Sequence, residues 1–259
     1  MKADKSLGQH FLRDVSVLED IAALCDVRSS GGCLEIGPGE GALTAFLVKS
    51  AGDLQIVAID PDPRAVEMVR QRFGGRVEVV LGDATRDDLG ALLPGVGGKK
   101  PVIVGNLPYN AASIIHRRTL ALGDRFARAL FMFQREVALR LVAVPKTRDY
   151  GIPSILTQVV ATAHLVRDVG PECFSPRPKV DSAVVLIEPL ASPLVSPVDL
   201  ETFGDFVGRA FQQRRKTLGN SMGDRKGLLA KLGIDPIQRA EELAPEVWVA
   251  LFAAFRAEG

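Results

Sequence analysis

Five consecutive residues, Gly105-Asn106-Leu107-Pro108-Tyr109, combine groups suited to gripping a planar amine. Pro108 has no N–H and holds Leu107 in extended geometry, so the Leu107 carbonyl has no helical ladder to join and can point into a pocket. The Asn106 side chain adds a carbonyl acceptor, and Tyr109 an aromatic face. An amine conjugated to a purine is a poor nucleophile, because its lone pair is delocalised into the ring. Two hydrogen bonds from its N–H groups pull the nitrogen toward tetrahedral geometry and return that pair, a stabilisation placed where charge develops. The same residues would also serve as a plain strand-to-helix turn, since Asn and Pro are common turn formers. The segments upstream decide between the two.

Upstream lies Leu34-Glu35-Ile36-Gly37-Pro38-Gly39-Glu40-Gly41-Ala42. Glycines at 37, 39 and 41 let a backbone turn sharply and approach a ligand where side chains would collide. The loop is a nucleotide-site signal without being specific to one cofactor, because Gly37-x-Gly39-x-x-Ala42 also fits a looser dinucleotide fingerprint. About twenty residues on, Asp60 closes an apolar run, where a carboxylate accepts hydrogen bonds from ribose hydroxyls. Gly82-Asp83-Ala84 closes the next, and Asp83 there can accept from the exocyclic amine of an adenine. Taken singly, Asp60 or Asp83 would more often cap a helix; in sequence after the glycine loop they outline a site.

The elements that must position these residues can be read from periodicity. Apolar runs at 33–36, 54–59, 77–81, 101–104 and 129–133 predict strands, and amphipathic stretches at 42–50, 64–73 and 111–122 predict helices between them. Strict alternation implies an α/β fold with a doubly wound, Rossmann-like parallel sheet, whose ligands sit beyond the carboxyl ends of the strands. After Tyr150 the pattern loosens, and 182–188 reads as the last strand. Pro189, Pro193 and Pro197 then break any helix. The expected division is therefore a domain of residues 1–190 and a small all-helical domain of residues 191–259, its last helix at about 245–256.

The 259 residues, 47% hydrophobic and 24% charged, exclude disorder and collagen-like repeats. No uncharged apolar run approaches the roughly 18 residues of a spanning helix, and the amino terminus lacks a signal-peptide core, so the expectation is a cytoplasmic protein without membrane contact. Cys25, Cys33 and Cys173 show no Cys-x-x-Cys spacing, against a disulfide frame or metal site. The net charge of +1 conceals polarity: 207–231 carries +6 and 112–150 carries +5, which leaves −10 for the rest. Such a distribution fits either a polyanion footprint or solvated helix faces.

The order Leu-Glu-Ile-Gly-Pro-Gly-x-Gly, acidic strand end, Gly-Asp-Ala, Asn-Leu-Pro-Tyr resembles the S-adenosylmethionine-dependent RNA adenine N6-dimethyltransferases. Lys5-Ser6-Leu7-Gly8-Gln9-His10-Phe11-Leu12-Arg13-Asp14 is similar to their amino-terminal signature, and Cys173-Phe174-Ser175-Pro176-Arg177-Pro178-Lys179-Val180-Asp181-Ser182 to their pocket loop. Phe211-Gln212-Gln213-Arg214-Arg215-Lys216-Thr217-Leu218 resembles a helix of the branch that acts on small-subunit (16S) ribosomal RNA. The resemblance spans nearly the whole chain.

It implies that Gln9, His10 and Leu12 cover S-adenosylmethionine, that Gly37 and Gly39 approach its methionine part, Asp60 its ribose and Asp83 its adenine amine, and that Glu35, Ala84 and Asn106 also belong to the cofactor site. Asn106 and Leu107, in the turn made by Pro108, would hold the target amine. Tyr109 and Phe174 would stack on an adenine extracted from its own stack. Arg177, Lys179, Arg214, Arg215 and Lys216 would meet RNA phosphates. The implied partner is a small-subunit precursor and its rRNA, the implied enzyme a monomer without metal. Two departures stand out: Asp60 where that family usually has Glu, and Pro153 in a segment usually free of proline. The alternatives are the large-subunit branch that confers macrolide resistance, an assembly factor with vestigial transfer, and a Rossmann dehydrogenase. The last would leave Asn106 to Tyr109 without a role.

Overall fold

The structure, a computed structural model, describes residues 9–95, 97–212, 216–223 and 226–258. The strands are β1 (Phe11–Leu12), β2 (Cys33–Ile36), β3 (Ile56–Asp60), β4 (Val77–Leu81), β5 (Val102–Asn106), β6 (Arg128–Gln134), β7 (Ala161–Val169), β8 (Phe174–Ser175) and β9 (Ser182–Pro189). The helices are α1 (Val15–Cys25), α2 (Ala42–Ala51), α3 (Pro63–Phe73), α4 (Ala112–Leu120), α5 (Arg135–Val142), α6 (Ile152–Gln158), α7 (Leu200–Phe211), α8 (Leu218–Ser221), α9 (Lys226–Lys231) and α10 (Pro245–Glu258). Seven strands form one sheet in the order β4-β3-β2-β5-β6-β9-β7. β2 to β6 pair in parallel, while β9 runs antiparallel to β6, with Phe131 opposite Val185.

All four residues of β2 and all five of β3 are buried, as parallel strands covered on both faces require. After β4 the chain returns to the other side of β2 to lay down β5. β2 thus has β3 on one flank and β5 on the other, and the strand order reverses at the carboxyl end of β2, where open α/β sheets bind their ligands. The loop after β2 and the turn after β5 are adjacent for this reason.

One expectation is corrected here. The sheet is not uniformly parallel, and β7, absent from the sequence reading, forms its edge beside β9. β7 carries Thr162, His164, Arg167 and Asp168 and is buried along its full length only at Ala161 and Val169, so it presents no apolar run.

Packing divides the chain into two units: residues up to Ala138 with His164–Pro189, and Leu139–Ala163 with Leu190 onward. The second unit therefore takes in a stretch that the sequence reading placed with the first. Tyr150 donates its hydroxyl to the Leu243 carbonyl at 2.9 Å, and Leu156 of α6 packs where a Cβ on Gly204 of α7 would meet it at 3.4 Å. Pro153 falls in the first turn of α6, where its missing N–H costs nothing. Aromatic contacts hold this unit, among them Phe203 with Phe252 at 5.3 Å and Phe211 with Trp248 at 5.9 Å between centroids.

Gly105, the penultimate residue of β5, meets β2 more closely than a side chain allows. A Cβ there would lie 2.6 Å from the Ile36 carbonyl oxygen and 2.9 Å from the Leu107 side chain. Gly105→Ala should therefore cost about 1–3 kcal/mol, the usual penalty of overpacking, read as a lower urea midpoint at unchanged slope. A midpoint equal to the parent's would show that β2 and β5 can part without cost.

Candidate active site

A cavity of 340 Å³ opens at the reversal point in the first unit, within the usual size of small-molecule sites. Its wall contains Gln9, His10, Leu12, Glu35, Gly37, Gly39, Asp60, Asp83, Asn106, Leu107, Pro108 and Tyr109. Twelve residues singled out from the sequence, spread over a hundred positions, thus line one space. Ala84 is buried beside Asp83 and does not line it.

The glycine loop is built for close approach. Gly37, Gly39 and Gly41 have φ of 70°, 55° and 75°, a region side chains disfavour. At Gly37 a Cβ would meet nothing nearer than the Asn106 carbonyl at 3.9 Å, so the space above it is open. At Gly39 it would meet the Phe11 ring at 3.1 Å. Phe11 belongs to the two-residue ladder of β1 with β8, in which Leu12 faces Phe174 and Phe11 faces Ser175. An ion pair between Arg13 and Glu40 ties the same strap to the loop.

Four carboxylates near the cavity meet different fates. Asp60 is buried, and burial raises its pKa against the opposing pull of two backbone donors. Its Oδ2 accepts from Gly39 N at 3.0 Å and its Oδ1 from Asp62 N at 2.9 Å. Asp60 therefore ties the glycine loop to the end of β3. Asp62 caps α3 and takes the Arg64 guanidinium, which with the Arg64 and Gln9 donors holds its carboxyl down at about 2. Glu35 is fully buried, and its Oε2 has no hydrogen-bond partner. Burial pushes it up to about 7, against the pull of the neighbouring Thr44 hydroxyl and with the Asp60 charge adding to the shift. Asp83 accepts from Thr85 N and Thr85 Oγ1 at 2.9 and 2.7 Å, which lowers its pKa.

At the other end, Asn106 donates from Nδ2 to the His10 carbonyl at 2.9 Å. A carbonyl can only accept, so this bond fixes the sense of the carboxamide and leaves Oδ1 as its acceptor for a group entering the cavity. The Pro108 carbonyl accepts from Ala111 N and Ala112 N, both at 2.9 Å, and so turns the chain into α4. Tyr109 is half-buried, its hydroxyl 2.7 Å from Ser182 Oγ. Burial raises its pKa.

Phe174 departs from its expected place. It is 5% exposed and sits in the apolar core with Leu12, Leu18 and Val184 rather than in the cavity wall. In β8 successive residues face opposite ways, and the pairing of Leu12 with Phe174 turns the ring inward while Ser175 faces out. The ring beside Tyr109 is instead that of His10. Arg177, Lys179 and Lys216 are exposed, and Arg177 lies 3.7 Å from Glu172. Arg214, Arg215 and Lys5 to Gly8 lie outside the described residues. Among residues given no role beforehand, Thr85 and Phe11 line the cavity and Ser182 anchors Tyr109. Ser182 ends the segment similar to the family's pocket loop and opens the last apolar run, and neither signal pointed to Tyr109. Among the described residues there is no group of His, Cys, Asp or Glu placed to hold a metal, and no helix long and apolar enough to cross a membrane.

Three kinds of comparison agree with this geometry. The chain is 41% identical to the ribosomal RNA small subunit methyltransferase A of Mesorhizobium japonicum, over 97% of this chain and 92% of that one. It is 40% identical to the protein of the same name in Geobacter metallireducens, over 100% and 98%. The structure is similar to that of the 23S rRNA methyltransferase ErmE, at 27% identity and a TM-score of 0.68 over 94% of this chain and 98% of that one. It shares the fold of a dimethyladenosine transferase from Plasmodium falciparum, at 24% identity and a TM-score of 0.77 over 96% and 98%. The profile of the family described as ribosomal RNA adenine dimethylase matches residues 1–256, and with the glycine loop and the Asn-Leu-Pro-Tyr turn facing one cavity, the chain belongs to that family.

Proposed function

We propose that the protein transfers two methyl groups in sequence from S-adenosylmethionine to N6 of each of two adjacent adenosines near the 3′ end of small-subunit (16S) ribosomal RNA, in the cytoplasm and during assembly of the subunit. The observation that carries this reading is the oriented Asn106 carboxamide beside Tyr109. An acceptor held in one sense next to an aromatic platform suits a planar amine and is poorly suited to a hydride donor. The relatives at about 40% identity carry small-subunit names, which supports that branch over the large-subunit one.

The residues present fit the cofactor. Open space over Gly37 admits a ligand lying on the loop, and the unpartnered Glu35 Oε2 suits a cationic amine. Glu35, Gly37 and Gly39 would hold the methionine part, Asp60 with its remaining lone pairs the ribose, and Asp83 the adenine amine. S-Adenosylmethionine, when bound, supplies a sulfonium methyl whose leaving group is already activated. What the chain adds is position: Tyr109 stacks on the extracted base, and Asn106 Oδ1 and the Leu107 carbonyl take the two N–H groups as the nitrogen gains charge. Residues 191–259, with Leu139–Ala163 packed in the same unit, would form the RNA- and ribosome-binding part and meet phosphates through Arg214, Arg215 and Lys216, while Arg177 and Lys179 of the first unit would meet phosphates flanking the target.

The direct test gives radiolabelled S-adenosylmethionine to immature small subunits, mature large subunits and free RNA in parallel. Label should enter the immature small subunits at adenosine. Label in large subunits alone would move the protein to the other branch, and tight particle binding without label would make it an assembly factor. In the same assay Asn106→Ala should lower turnover by about 2.7–4 kcal/mol of barrier while leaving cofactor affinity nearly intact. Unchanged turnover at saturation would remove Asn106 from the reaction.

The Glu35 carboxyl gives a pH signature. Only its ionised form pairs with an amine, so affinity for S-adenosylhomocysteine should rise as pH climbs through about 7, and the rise should vanish in Glu35→Gln. Stability should move the opposite way. A carboxyl whose folded pKa of about 7 exceeds its ordinary value of 4.5 favours the fold fully below pH 4.5 and loses that contribution as pH rises through about 7. Calorimetric titration and urea midpoints between pH 5 and 8 measure both, and parallel slopes in parent and Glu35→Gln would take Glu35 out of the site.

A further inference from the structure

Tyr109 is held in two ways that methyl transfer alone does not explain. Its hydroxyl is anchored to Ser182, a fully buried residue at the start of β9, so the phenol ring has a fixed position. Against its face lies the imidazole of His10, with ring centroids 5.5 Å apart and planes inclined by 28°. Both residues line the cavity, so their stack borders the space a base would enter. A base lying between two rings needs two contact separations, about 7–8 Å in all. The observed spacing leaves no such room.

The main chain and the ring of His10 have separate attachments. Its carbonyl receives the Asn106 Nδ2 hydrogen bond, and its Nδ1 lies 2.8 Å from the Pro176 carbonyl. That carbonyl only accepts, so Nδ1 carries the proton and donates. The ring's bond is solvent-exposed, whereas the backbone of the strap is pinned by Phe11 and Leu12 in the ladder with Ser175 and Phe174. Rotation of the His10 side chain therefore clears Tyr109 without disturbing the carbonyl that orients Asn106.

We propose that His10 is a residue of the base-binding site, whose imidazole keeps the place of the target base on Tyr109 and gives it up when the base enters. The proposal rests on the adenosine reading above. Its thermodynamic consequence is a uniform penalty. Every entering base must displace the same stack, so the apparent affinity of each falls by the same factor. Bases that arrive with remote contacts, as part of a large RNA, offset the penalty from those contacts, and free nucleosides bear it in full.

The test uses protein saturated with S-adenosylhomocysteine, its cofactor affinity checked in each variant, and adenosine as the probe. In the parent, the His10 ring protons should resonate upfield, under the Tyr109 ring current. Added adenosine should return them toward exposed values, as Tyr109→Leu should without nucleoside. His10→Ala should bind adenosine about two- to tenfold more tightly, the weight of one aromatic stack. A merely structural His10 would give the opposite sign, so weaker or equal binding in His10→Ala overturns the proposal. So do His10 signals that stay put while those of Tyr109 respond to adenosine. If neither ring responds, the proposal falls, and label in immature small subunits then decides whether the adenosine reading stands without it.

Discussion

The site depends on one close approach, that of the β5 backbone to the end of β2. Parallel pairing of Cys33, Leu34 and Glu35 with Val102, Ile103 and Val104 brings two strands far apart in sequence to the same level. Gly105 carries that pairing past the Ile36 carbonyl, where a side chain does not fit. The glycine loop and the Asn-Leu-Pro-Tyr turn then face each other across a space that neither could form alone. The reversal of strand order supplies the crevice, and the missing Cβ brings its two lips close enough to share one ligand pair.

Around that crevice the chain has to place negative charge without collapsing the loop. Asp60 and Asp62 are both buried and close in sequence, and each is matched by donors from nearby main chain or from Arg64. Glu35 has no comparable match, and its pKa is raised largely by burial, with the Asp60 charge contributing. The unequal treatment has a structural logic. A carboxylate saturated by backbone N–H groups acts as a fixed brace, while a buried carboxyl with an unpartnered oxygen is costly unless something fills the space before it. The brace secures the loop, and the orphan marks where a donor is wanted.

Much of this was legible in the residues. Gly37, Gly39, Asp60, Asp83 and Asn106 to Tyr109 sit at the ends of strands that mainly apolar runs give away, buried in β2, β3 and β5 and partly exposed in β4, and their order implies a shared crevice. Less legible was what each side chain touches. At Asp60, where the sequence pointed to ribose hydroxyls, periodicity did not show that both oxygens also hold backbone N–H groups, those of Gly39 and Asp62. Phe174 was expected at the base, and strand alternation in β8 sends it into the core. β7 went unread because an edge strand of mixed polarity has no period that separates it from a loop. Leu139–Ala163 joins the second unit through Tyr150 and Leu156, contacts whose partners lie far along the chain and have no local signature.

The strap at residues 9–13 shows how function and local stability are traded. Gln9 reaches Asp62, Phe11 lies over Gly39, Arg13 pairs with Glu40, and the His10 carbonyl sets the Asn106 carboxamide. Both ends of the cavity are thus completed by one short segment, held in place by a ladder of two residues. So short a ladder has fewer main-chain hydrogen bonds to hold it than the seven-stranded sheet, and side-chain bonds such as Gln9 to Asp62 and Asn106 to the His10 carbonyl supplement it. A wall that must admit a cofactor and a base cannot be made of the core strands, which would have to break the sheet to move. The register of the strap is set by Phe11 and Leu12, whose fixed partners are Ser175 and Phe174. The inward turn of Phe174 serves that register: buried beneath the ladder, it anchors the strap opposite Leu12.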